Sequence, residues 1–220
     1  MNNKYIDNEL YKAIQYHIDN RFLMTIDRCF NGETTSTFGF PICLSDKFIL
    51  TTIITDFHDE GYAVLRTKDI TDAYSNESDS FYEQICISEG LQDKIEQNPI
   101  KETDSLNHVL SQLRDYDGFI CIQCEEQAER CSFYMGNIIT IEEDNVIFRD
   151  VGTDGKLEDE IHSIPYKEIT QISFGDNYSK LYWKYVSANP VPSRQKWTKK
   201  VLKNGMKNKM TQPDKCFKKY

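Results

Sequence analysis

GFPICLSDKFILTT, residues 39–52, and GNIITIEEDNVIFRD, residues 136–150, share one grammar. Each starts at a glycine and runs through alternating apolar positions. Each then meets a short polar stretch and resumes as a β-branched run. Alternation of period two argues for a half-buried strand, and a polar break between two such runs argues for a hairpin. The turns fall at Ser45-Asp46-Lys47 and at Glu143-Asp144-Asn145, residue types that turn readily.

Working outward, the likeness continues. KDIT at 68–71 returns as KEIT at 167–170, each followed by a short final strand, DAY or QISF. Upstream, RFLMTIDR from Arg21 matches GFICIQCE from Gly118. Phe22 and Phe119, like Gly39 and Gly136, are 97 positions apart, whereas the KxIT phrases are 99 apart, so loops absorb two residues. Before each first strand stands a helix candidate. NELYKAIQYHID carries Leu10, Ala13, Ile14 and His17 on one face; TDSLNHVLSQLRDY carries Leu106, Val109, Leu110 and Leu113, with Asp104 or Ser105 as its cap. The chain therefore reads as a duplication, each copy a helix followed by five short strands.

Five short strands bury a core most economically as a strongly bent small barrel, and a glycine inside the second strand marks the bend. The expected fold is mainly β, with two tandem five-stranded barrels, each preceded by a helix. The expected domains are 1–90 for the first barrel, 91–104 for a polar linker, 105–188 for the second barrel and 189–220 for a basic tail.

This order of helix, strand, G-x-apolar-x-x-apolar-polar-acidic, β-branched strand and apolar-x-x-acidic-Ile close resembles the Sm-like barrel. The acidic hairpin and SIPYKEITQI resemble in particular the Sm-like C-terminal domain of the bacterial ribosome maturation factor. The resemblance covers about residues 8–88 and 104–186. It implies ring-forming, RNA-binding or protein-interaction roles. In ring-forming members RNA meets the loop between the second and third strands and an Arg-Gly before the last strand. Here that loop is a tight turn. Arg66 is followed by Thr67 rather than glycine, and Pro165 and Tyr166 stand at the matching positions of the second copy.

Charge divides the chain. The net charge is −9, yet residues 189–220 carry ten Lys plus Arg against Asp214 alone, leaving 1–188 at −18. An acidic body repels phosphate, while a lysine-rich tail attracts it without reading sequence. The expected function is a non-enzymatic interaction module acting through protein partners or self-assembly. The alternative is an RNA- or ribosome-associated protein, with Arg66, Lys68, Arg194, Lys196, Lys199 and Lys200 as contacts. A third reading makes the His58 loop, DFHDEG at 56–61, a cation or hydrolase site; a solvated loop is the plainer reading.

Seven cysteines without an export signal argue for free thiols and a cytoplasmic chain. CIQC, Cys121 to Cys124, invites zinc with Cys131, but positions i and i+3 of a strand point to opposite faces. Neither cofactor nor metal is expected. No run of apolar residues approaches membrane-spanning length. YSKLYWKY, residues 178–185, reads either as a base-stacking surface or as an element packed on the second barrel.

Overall fold

The structure is a computed structural model that describes residues 6–126 and 132–188. The chain divides into two compact units, 1–190 and 191–220, and the second lies wholly outside the described residues. Among the described residues no helix is long and apolar enough to cross a membrane.

The first half opens with α1 (Asn8–Asn20), capped by Asp7, whose carboxylate accepts from Glu9 N–H at 2.9 Å. Six strands follow: β1 (Met24–Phe30), β2 (Glu33–Gly39), β3 (Pro41–Leu44), β4 (Phe48–Thr55), β5 (His58–Arg66) and, after a 3-10 turn at Thr67–Asp69, β6 (Ile70–Tyr74). β2 and β3 are the two arms of the expected second strand, broken at Phe40. α2 (Glu77–Ser88) closes this half. The stretch 91–104, expected as a polar linker, carries a 3-10 turn and α3 (Lys94–Gln97), and it buries Leu91 and Ile100. The second half comprises α4 (Leu106–Leu113), β7 (Ile120–Cys124), β8 (Ser132–Ile141), β9 (Asn145–Val151), β10 (Leu157–Pro165), β11 (Gln171–Phe174) and α5 (Asn177–Ala188). Ser105 caps α4 by accepting from His108 N–H.

The fold is mainly β, as expected. Among the described residues the strands form two sheets, ordered β2-β1-β6 and β10-β9-β8-β7-β11-β5-β4-β3, and no barrel is closed. The physical reason lies in one exchange of partners. Closing a barrel within a half needs its last two strands to pair. Instead β5 pairs with β11, so the seam of the first half is filled by the second.

Pairing also fixes which residues of the halves correspond. Gly39 and Gly136 match: a Cβ on either would lie 2.0 Å from a carbonyl oxygen of the next strand, Thr52 O or Arg149 O. Only glycine lets the chains approach so closely. Met24 pairs with Gly39 and Ile120 with Gly136, so the first strands correspond at a spacing of 96 rather than the expected 97. Further on, Arg66 pairs with Phe48 and Pro165 with Asn145, where Phe48 and Asn145 close equivalent hairpins. Arg66 therefore corresponds to Pro165 and Gly61 to Glu160.

β5 is buried on both faces. Tyr62 and Val64 join a core with α4, Ile122, Phe148, Ile172 and Phe174, whereas Ala63 and Leu65 join Ile14, Met24 and Ile26. A strand buried on both faces reads as a continuous apolar run, which is what YAVL is.

Candidate strand-addition interface

The β5–β11 junction is antiparallel, with Leu65 opposite Gln171, Val64 opposite Ile172, Ala63 opposite Ser173 and Tyr62 opposite Phe174. Tyr62 and Phe174 stack with centroids 5.1 Å apart. Gly61 has φ +79°, and a Cβ there would stand 2.2 Å from Phe174 O. The glycine lets the end of β11 pass directly over β5.

Charged groups tie the junction. Arg66 is 6% exposed; it binds Asp69 (2.6 Å) and Glu126 (2.9 Å), and its Nη1 donates to Lys167 O at 3.0 Å. Its backbone N–H donates to Thr170 O at 3.3 Å. Burial raises the Asp69 carboxyl pKa, with the Arg66 guanidinium pulling it the other way. Nearby, Arg28 of β1 is 2% exposed and binds Glu125 at 2.7 Å; its Nη2 donates to Gln171 Oε1 at 2.6 Å. Thr170 Oγ1 completes the cluster by donating to Glu125 Oε2. Arginines answered by carboxylates across a buried seam fix register, because an unanswered buried charge is costly.

The residues expected to touch nucleic acid are distributed differently. Arg66 is enclosed in this junction. Lys68 is half exposed, 3.6 Å from Glu126. Arg194, Lys196, Lys199 and Lys200 lie outside the described residues. Neither Glu125 nor Glu126 was legible as a partner of these arginines, since nothing local marks them.

Among the described residues four strands end a sheet, β2, β3, β6 and β10, and two of them, β6 and β10, are the counterparts of the strands that meet at the junction. β6, the counterpart of β11, pairs only with β1 and exposes Thr71, Asp72 and Tyr74. β10, the counterpart of β5, pairs only with β9 and exposes 157–161, LEDEI. These edges differ in chemistry. β10 has Glu160 in the place of Gly61, and Pro165 in the place of Arg66. Proline has no N–H to donate as Arg66 donates to Thr170, and charges on an edge strand discourage pairing. β6 carries no such bar beyond Asp72, whose carboxylate accepts from Ala73 N–H at 2.8 Å.

Cys121 and Cys124 sit in different cores on opposite faces of β7, as the strand period requires, and Cys131 is outside the described residues. His58 is exposed at the start of β5, its Nδ1 2.7 Å from Asp56 O. A grouping that sequence reading missed is Glu102, Asp104 and His108, exposed at the start of α4, whose ligand atoms lie within 4.8 Å of one another. In YSKLYWKY, Tyr182 and Trp183 pack on the second half while Tyr178, Leu181 and Tyr185 face out. Comparison of the chain with protein-family models, with curated proteins and with solved structures finds no match to any of them.

Proposed function

We propose that the chain is a non-enzymatic interaction module that binds a protein partner by strand addition along β6. One observation carries this reading: the β5–β11 pairing, in which a strand equivalent to β6 already accepts a neighbour. Strand addition draws affinity from main-chain hydrogen bonds and specificity from alternate side chains. The partner strand needs what β5 has and β10 lacks, a small residue in the place of Gly61 and a donor in the place of Arg66. That favours another protein over a second copy of this chain, because Pro165 and Glu160 oppose head-to-tail growth. The finer reading of each half as a Sm-like small barrel belongs to the same proposal. Its support is that both halves string their strands in one order, last, first, second, third, fourth. The test is to rebuild the β5 edge on β10 with Glu160→Gly and Pro165→Arg and to measure association. Chains that join through β6 support the reading; chains that stay single refute it.

A further inference from the structure

Between α4, α5 and β8 the second half holds a cavity of about 290 Å³. Leu113, Tyr116, Ile139 and Trp183 line it with apolar surface, and Arg114 and Asn137 supply its polar side chains. Ligand sites are commonly of this kind, an apolar concavity with a few placed polar groups.

The duplication says what shape the cavity fits. Phe40 follows Gly39 as Asn137 follows Gly136, and the next strand meets them equivalently: Thr52 N–H donates to Phe40 O, and Asn137 pairs with Arg149. Phe40 is fully buried in a core with Leu23, Ile54 and Cys86 of α2. The corresponding core of the second half gathers Phe119, Cys121, Met135 and Val151 under α5, without Asn137. Where the first half inserts its own phenyl ring, the second presents a short amide beside open space.

The wall is held in advance. The Trp183 ring packs edge-on against Phe119 with centroids 5.1 Å apart, and its Nε1–H donates to Asp117 at 3.1 Å. Arg114 is exposed, and its guanidinium makes no hydrogen bond or ion pair with another described residue. In a body carrying −18, an uncommitted guanidinium beside an aromatic slot is suited to a carboxylate, which it grips with two parallel donors.

We propose that this cavity binds a small aromatic carboxylate. The ring takes the position that Phe40 occupies in the first half, the carboxylate meets Arg114, and the Asn137 amide donates a second hydrogen bond.

The experiment uses the full chain with Trp197→Phe, which leaves Trp183 as the only tryptophan. Its fluorescence is titrated with phenylacetate and with neutral phenylacetamide. The expected result is a saturable response to phenylacetate, weaker by about tenfold for phenylacetamide and for Arg114→Gln, and abolished by Asn137→Phe. Asn137→Leu fills the slot less and serves if the phenylalanine variant fails to fold. No saturable response to phenylacetate overturns the proposal. So does equal binding of the amide with no effect of Arg114→Gln, or unchanged binding when residue 137 is enlarged.

Discussion

Rebuilding one edge should turn a single chain into a head-to-tail assembly. In the variant Glu160→Gly with Pro165→Arg, β10 regains the two features that let β5 receive β11. By correspondence with the internal junction, Asp72, Ala73, Tyr74 and Ser75 of one chain would face Ile164, Ser163, His162 and Ile161 of the next. Four residue pairs supply about four ladder hydrogen bonds, worth roughly 4 kcal/mol in total. A charged donor like Arg66 adds roughly 2 kcal/mol. Tyr74 and Ile161, 37% and 50% exposed, would become partly covered, adding roughly 3 kcal/mol. Association costs at least about 4 kcal/mol in lost freedom, leaving about 5 kcal/mol, or a dissociation constant on the order of hundreds of micromolar. Sedimentation equilibrium across that range should show the wild type single and the variant growing with concentration. Tyr74→Glu, an exposed change on the opposite edge, should reverse the growth. Association that survives Tyr74→Glu, or a variant that stays single at millimolar concentration, would refute the reasoning.

Gly61→Ala should destabilise the fold by about 3 kcal/mol or more in urea melts, since φ is positive and the added carbon meets Phe174 O. Arg28→Ala should cost about 3–5 kcal/mol by leaving Glu125 buried and unanswered, whereas Arg28→Met with Glu125→Leu should restore most of that loss; equal losses in the two would overturn the ion-pair account. Burial pushes the Cys121 thiol up to about 12, so the unfolded chain releases this proton first. Its contribution is intact below pH 9 and is lost between pH 9 and about 12, where this thiol should lower stability by about 1.4 kcal/mol per pH unit, so the fall should be less steep in Cys121→Ala; parallel pH profiles would exclude the thiol as the cause.

The hairpins were legible because period two and turn residues are local, and so were α1 and α4, with Ser105 among the two caps expected for the second of them. The opposed faces of Cys121 and Cys124 followed from the same period. The junction was not legible. YAVL in β5 reads only as a buried strand, and nothing in it names QISF as its neighbour. Arg66 presents in sequence as a free charge near a final strand; of its two carboxylates Asp69 is three positions on, but Glu126, the one across the seam, lies 60 positions away and is unmarked. α2 was missed because its apolar residues, among them the exposed Phe81 and Ile87, do not keep to one face. The one-residue slip between the first strands arose because Phe22 and Phe119 look alike, while the pairing with Gly39 and Gly136 decides the register.

The exchange of partners at the seam has a kinetic side. Residues 62–65 wait for residues 171–174, more than a hundred positions downstream. Closing so long a loop changes the equilibrium little, since each doubling of length costs only about 0.6 kcal/mol, but distant pairings slow folding. Until β11 arrives, YAVL stands with a bare edge and an uncovered face, an apolar stretch without proline or charge. During synthesis or refolding it is the segment most exposed to capture by another chain, so the yield of native protein should depend on concentration even though the finished molecule hides that strand completely.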